Sequence, residues 1–213
     1  AAQTCSDRQQ MLRINGYFDG RVELWTKTKG KKLKTIYKLY PGEPYYLGNV
    51  DYQIADEGIV SLLQLDNPKM WGLQKGQQFI ADNLDRERKR ITTLLNDKGY
   101  YRFHKEYIRY EADTLGGNRR VNVKLLLAAN KTAGGVDTLH TRYKMRSVDY
   151  ESGSPNDTVI HLRKKVLTES TYIRPGDYYS GSGLQNTYTH FGRLGAVKYT
   201  NINFSQVPGA DSL

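Results

Sequence analysis

With 213 residues, 38% of them hydrophobic, the chain can bury cores of its own, yet it has no visible signal peptide and no run approaching the roughly eighteen apolar residues of a membrane-spanning helix. A single cysteine, Cys5, excludes an internal disulfide and a cysteine-based zinc site, and with no apolar signal core before it an ordinary helical cysteine fits better than a lipid anchor. The net charge of +10 gathers at the amino end, where residues 1–42 carry nine basic and three acidic side chains.

The first predicted element is a helix over 2–14, closed by Leu12-Arg13-Ile14-Asn15-Gly16-Tyr17-Phe18. A large apolar residue four places before a glycine marks a helix that ends on a left-handed glycine, at low cost because glycine has no Cβ. A strand through Val22 and Leu24, a Lys29-Gly30-Lys31 turn and a strand through Leu33, Thr35, Tyr37 and Leu39 follow. Apolar-polar alternation then predicts a strand over 45–54. Ile59, Val60, Leu62 and Leu63 have helical spacing, stopped at Asn67-Pro68.

Gly76-Gln77-Gln78-Phe79 introduces the main helix, 80–98, whose core face is Leu84, Ile91, Leu94 and Leu95. Asp85 and Glu87 read as solubilising charges on its exposed face. The first joint returns at its end as Leu95-Asn96-Asp97-Lys98-Gly99-Tyr100-Tyr101. A strand over 101–110 should turn Tyr101, Phe103 and Ile108 toward the helices, with an irregularity near His104 and Lys105. Leu115-Gly116-Gly117-Asn118 turns the chain into a strand over 121–127.

The last third repeats this order. Lys144-Met145-Arg146-Ser147-Val148-Asp149-Tyr150 answers Tyr46-Leu47-Gly48-Asn49-Val50-Asp51-Tyr52, and Gly176-Asp177-Tyr178-Tyr179 answers Gly76-Gln77-Gln78-Phe79. A strand near 145–150, a helical stretch over 166–172, a helix over 184–194 and a strand over 197–204 are expected. A weaker third joint lies at Phe191-Gly192-Arg193-Leu194-Gly195-Ala196-Val197.

Three echoes in one order define an α+β array of β-α-α-β-β units whose structural glycines are Gly16, Gly76, Gly99, Gly176 and Gly195. Residues 1–42 supply the back half of a first unit (helix, strand, strand), 43–138 a complete unit, and 139–213 a third unit lacking its last strand. The ends predict an excised fragment of a longer protein.

This unit, with Gly-x-x-aromatic before its second helix and L-x-x-x-G-[YF] at that helix's end, resembles the POTRA (polypeptide-transport-associated) repeat of the bacterial BamA/TamA outer-membrane assembly family. Pro41-Gly42-Glu43-Pro44-Tyr45, Leu84-Asp85-Arg86-Glu87-Arg88 through Gly99-Tyr100-Tyr101, and Ile173-Arg174-Pro175-Gly176-Asp177-Tyr178-Tyr179 look most like the TamA-like surface-antigen proteins of the Bacteroidetes. The resemblance covers nearly all of residues 8–207. It implies a three-stranded mixed sheet in each unit, covered on one face by two helices. It also implies a periplasmic location, attachment to the outer membrane through a C-terminal β-barrel absent from this chain, and binding of unfolded or partly folded outer-membrane clients and periplasmic assembly partners. The last joint departs from the pattern, with Ala196-Val197 where the others have Tyr and an aromatic residue.

Two helices cover one face of a three-stranded sheet, so strand edges stay open and an extended client can add a strand through main-chain hydrogen bonds. The resemblance makes the second strand of each unit the edge: Val22 and Leu24, then Tyr101, Phe103 and Tyr107, then Val197 and Tyr199. The last edge is expected to pair with a second copy or to be disordered. Lys27, Lys29, Lys31 and Lys32 crowd one hairpin; a solvated face ranks first, and contact with anionic lipid head groups or acidic clients second. A basic nucleic-acid-binding or glycan-binding array is the alternative function. Nucleic acid is disfavoured because no recognition helix, RNP-like motif or zinc finger accompanies the charge.

No enzyme, cofactor or metal site is expected. His104, His140, His161 and His190 fall in separate elements without ligand spacing, and Gly181-Ser182-Gly183 lacks a P-loop lysine.

Overall fold

A computed structural model describes residues 2–64, 71–114, 118–131, 135–152, 159–207 and 209–213. The Asn67-Pro68 helix stop and the turn residues Leu115, Gly116 and Gly117 lie outside the described residues. The chain forms two compact units, Ala1–Arg90 with Ile108–Ala128, and Ile91–Tyr107 with Ala129–Leu213.

In the first unit, α1 (Ala2–Ile14) lies against a two-stranded antiparallel ribbon of β1 (Arg21–Lys29) and β2 (Lys32–Tyr40). There follow β3 (Tyr46–Gln53), α2 (Glu57–Leu63), the start of α3 (Ala81–Asp97), β4 (Ile108–Asp113) and β5 (Arg120–Leu127). The Asp56 carboxylate caps α2 by accepting from the Ile59 N–H at 3.2 Å, satisfying a donor the helix cannot.

The three strands lie in the order β3-β5-β4, β5 being parallel to β3 and antiparallel to β4. Period-two alternation decides the faces of β5, and in β3 a register shift between Leu47 and Val50 keeps both on the buried face. Leu47, Val50, Val121 and Val123 are buried with Leu73 and Phe79, whereas Asn49, Asp51, Arg109, Glu111, Asn122 and Lys124 are exposed. The fold is thus α+β with a mixed three-stranded sheet. Helix α3 lies on its apolar face, where the Tyr110 hydroxyl donates to the Leu84 carbonyl at 3.1 Å.

The expected strand over 101–110 begins only at Ile108. Residues 101–104 are a turn, and Lys105–Tyr107 is a single 3₁₀ turn. The backbone there bonds locally, Phe103 N–H to Tyr100 O at 3.0 Å and Tyr107 N–H to His104 O at 3.1 Å. Within this curl Phe103 is 1% exposed.

The second unit contains a short antiparallel pair, β6 (Asn130–Lys131) and β7 (Asp137–Thr138), then α4 (Lys164–Ser170) and α5 (Gly181–Arg193). Its core joins Tyr143, Met145, Ile173, Tyr179 and Leu213, with Tyr101, Val148, Leu184 and Phe204 against them.

The strand expected near 145–150 pairs instead around Lys144. Residues 211–213 form no strand but make a single parallel bridge to the same residue. Ser212 bridges Lys144 in parallel, Lys144 N–H donates to Asp211 O at 3.1 Å, and Leu213 N–H donates to Lys144 O at 2.9 Å. Arg120 stands beside Tyr46 in the same way. Residues 197–204 form no strand; residues 211–213 also contact Val207, whose N–H donates to Ser212 O at 3.0 Å. Phe204 instead packs on Tyr101 and Tyr179, with ring centroids 5.4 and 5.5 Å apart.

Candidate functional site

Each unit contains one joint, and the two joints share one hydrogen-bond pattern. At the end of α1 the Gly16 N–H donates to Arg13 O at 2.9 Å and the Tyr17 N–H to Leu12 O at 2.9 Å. At the end of α3 the Gly99 N–H donates to Asn96 O at 3.3 Å and the Tyr100 N–H to Leu95 O at 3.1 Å. These are paired Schellman closures around glycines at φ 84° and 103°.

Each glycine carbonyl then receives the next strand, from the Tyr45 N–H and from the Tyr143 N–H, both at 2.8 Å. The Gly-x-x-aromatic segment completes the joint. Phe79 N–H donates to Tyr45 O at 2.8 Å and Tyr179 N–H to Tyr143 O at 2.9 Å; Leu47 N–H donates to Gln77 O at 2.7 Å and Met145 N–H to Asp177 O at 2.8 Å.

Aromatic rings fill both joints. Phe18 sits 4.9 Å from Tyr45 and 5.4 Å from Phe79, and Tyr101 sits 6.0 Å from Tyr143 and 5.0 Å from Tyr179. Packing these rings together, edge-on in all but the tilted Phe18–Phe79 pair, fixes the angle at which the chain leaves each helix. Gly76 and Gly176 introduce their helices at φ 87° and 90°. Gly195 differs, because α5 closes through an extended Leu194 and Gly195 has no left-handed φ.

A second feature was invisible in the chain order. The Asp97 carboxylate accepts from the Ser182 N–H at 2.7 Å and the Ser180 hydroxyl at 3.1 Å, at the start of α5. Ser180 also accepts from the Gly183 N–H at 3.0 Å, so two side chains cap one helix and a carboxylate faces its positive end.

The open edges lie elsewhere. Residues 76–78 bridge β3 at Tyr46 and close that end of its outer side. Among the described residues only β5 pairs with β4, which leaves the backbone of residues 108–112 open along one side. Tyr101, Phe103 and Tyr107 precede this strand and are not on it: Tyr101 belongs to the joint, and Phe103 and Tyr107 hold the His140 ring at 5.0 and 4.6 Å. Val22 and Leu24 are on β1, which pairs only with β2 among the described residues; the Cys5 thiol donates to Val22 O at 3.4 Å. Val197 and Tyr199 lie in the segment without strand pairing. Lys27 and Lys29 stand opposite Lys34 and Lys32 across the ribbon, with Lys31 in its turn.

Glu87 overturns its reading as a solvated charge. It is 2% exposed, accepting from Arg90 Nε at 2.6 Å, Arg90 Nη2 at 2.8 Å and the Tyr52 hydroxyl at 3.0 Å. Its position explains this, three residues after Leu84 and four before Ile91 on the helix stripe that faces the sheet. Asp85 does behave as a surface charge, paired to Lys89 at 2.7 Å.

Burial, and then the Glu87 charge, pushes the Tyr52 phenol well above its ordinary value, and the same causes raise Tyr110. Above pH about 10 the unfolded chain loses tyrosine protons that the folded sheet keeps, so stability falls as pH rises, with no such dependence below. Unfolding free energies measured from neutral to alkaline pH should show this decline, and Tyr52→Phe should flatten it; an unchanged slope in that variant would remove the cause assigned here.

No helix among the described residues is long and apolar enough to cross a membrane, and no group of three or more His, Cys, Asp or Glu is placed to hold a metal.

A mixed sheet with helices on one face, entered through a glycine-aromatic joint, defines a module with the POTRA fold. The chain is similar to the crystal structure of Haemophilus influenzae BamA POTRA3-5, with a TM-score of 0.52 at 15% identity, over 97% of this chain and 74% of that one. Haemophilus ducreyi BamA lacking POTRA domains 1-3 aligns at TM-score 0.35 and 14% identity, over 60% of this chain and 23% of that one. POTRA1-3 of the periplasmic domain of Omp85 from Anabaena aligns at 0.28 and 12%, over 84% and 65%. The fold rests on the first of these. No family model matches the sequence, and no curated protein matches it.

Proposed function

We propose that this chain is the periplasmic partner-binding portion of an outer-membrane β-barrel assembly or translocation protein, a non-catalytic scaffold of the TamA-like type that holds extended clients by strand addition. The modules would be 1–42, 43–138 and 139–213, meeting at the two joints. The observation that carries this reading is the side of β4 that, over residues 108–112, pairs with no other described strand in the order β3-β5-β4. Main-chain hydrogen bonds contribute about 0.5–1.5 kcal/mol net each and are blind to sequence, which suits weak capture and release of many clients. Exposed Arg109 and Glu111 keep the edge from pairing with its own copies while leaving the backbone open. The motifs around Pro41–Tyr45 and Ile173–Tyr179 support the TamA-like type.

Amide exchange of the whole chain with and without an extended peptide of alternating apolar residues tests it. New protection should appear within residues 108–112. Binding that protects only other amides, such as those beside the shallow groove between α1 and β2 lined by Met11, Leu12, Tyr17 and Leu39, would overturn the β4 assignment.

A further inference from the structure

We infer that the outer face of the β1–β2 ribbon docks on an anionic bilayer surface. The register sets its five rungs: Arg21 with Tyr40, Glu23 with Lys38, Trp25 with Ile36, Lys27 with Lys34, and Lys29 with Lys32. Cross-strand partners share a face, as do alternate residues along a strand. Six of these ten side chains are therefore basic and one is acidic. Helix α1 takes the other face, where Arg8 lies over the Tyr37 ring at 4.6 Å.

Two successive lysine-lysine rungs are not explained by folding. Like charges directly opposite one another destabilise a sheet, and these four lysines make no ion pair among the described residues. Lysine on an edge strand discourages unwanted pairing, but that does not require lysines facing each other across two successive rungs. The cations instead complement a surface of negative charge.

The rest of the face selects which one. Trp25 is 50% and Tyr40 40% exposed, next to the lysines, with Lys38 Nζ 4.1 Å from the Trp25 ring. Aromatic side chains with a polar handle beside lysine are suited to the layer between head groups and acyl chains. Lysine is a flexible point charge that suits a diffuse phosphate layer, whereas fork-like recognition of single phosphates uses arginine. The face has one arginine, Arg21, occupied by the Tyr40 ring at 4.8 Å and by Glu23 at 3.8 Å. It has no Asn or Gln, so a nucleic acid in contact with it would find little to read its bases. This docking is independent of strand addition at β4, so either reading can fail without the other.

The test is co-sedimentation of the 213-residue chain with vesicles of phosphatidylglycerol mixed with phosphatidylcholine, against vesicles of phosphatidylcholine alone. Binding is expected only to the first, weakening with salt. Each lysine at such a surface is worth about fivefold in partitioning, so K29Q/K32Q should weaken binding about 25-fold. W25A should weaken it further without changing the salt dependence. K164Q/K165Q, which removes the same charge from α4, should change it little. Circular dichroism of each variant separates lost binding from lost folding. Equal losses from both lysine pairs would mean net charge alone and overturn the proposal. So would binding to duplex DNA, at the same salt, tight enough to strip the chain from vesicles.

Discussion

Gly16→Ala is expected to destabilise the first unit by about 3–4 kcal/mol, because a left-handed backbone and a close backbone contact fall at one position. A left-handed φ of 84° costs a non-glycine residue about 1–2 kcal/mol. The added Cβ would also fall on the Phe79 carbonyl, well inside van der Waals contact, with the Tyr45 carbonyl at 3.4 Å behind it. Both are backbone groups that cannot rotate away, and forcing atoms into a packed site costs about a further 1–3 kcal/mol. Gly76 supplies the control, since φ is 87° there but nothing lies within 4 Å of an added Cβ, so Gly76→Ala should show the backbone cost alone. Gly99→Ala should fall between, because its near neighbour is the Tyr178 side chain, Cδ1 at 3.0 Å, which can move. Denaturant unfolding measures all three, and faster exchange of the Tyr45 and Phe79 amides in Gly16→Ala would place the damage in the joint. Equal losses at Gly16 and Gly76 would mean that the close approach contributes nothing.

The joints were legible because their chemistry is local. An apolar residue four places before a glycine specifies the Schellman closure at Gly16 and at Gly99 wherever the rest of the chain goes. The ribbon was legible for the same reason, its alternation needing only a turn at Gly30 and Lys31. What escaped depends on distant partners. Tyr101, Phe103 and Tyr107 alternate like a strand, but burying Phe103 and bonding its backbone to Tyr100 wins over extension. Asp211-Ser212-Leu213 has no pattern of its own, and its parallel pairing is dictated by Lys144. Gly195 has the letters of the joint without its conformation, because α5 has already closed through Leu194. The candidate edge belongs to this second group. Strand order is a property of the assembled sheet, and nothing between residues 101 and 113 announces that a strand side open among the described residues runs along 108–112.

Glu87 belongs there too, and removing its partner gives the second large effect. Arg90→Ala should destabilise the sheet and helix of the first unit by about 3 kcal/mol, because it leaves a buried carboxylate with the Tyr52 hydroxyl as its chief remaining partner. The low end of the range for broken buried pairs applies, since the Arg90 side chain is 36% exposed while that of Glu87 is 0% exposed, and water can enter where the guanidinium stood. Arg90→Lys should recover only part of the loss, because an ammonium cannot reproduce the two-pronged contact at 2.6 and 2.8 Å. Gly72 also packs closely on this pair, as any Cβ there would fall on Glu87 Oε2. Replacing the whole network, in Tyr52→Phe/Glu87→Leu/Arg90→Leu, should restore most of the stability, since exchanging a buried ion pair for apolar side chains of similar volume is often neutral. Urea unfolding of the three variants decides the matter. If the triple variant is as unstable as Arg90→Ala, the damage comes from lost packing at position 90 and not from the stranded charge.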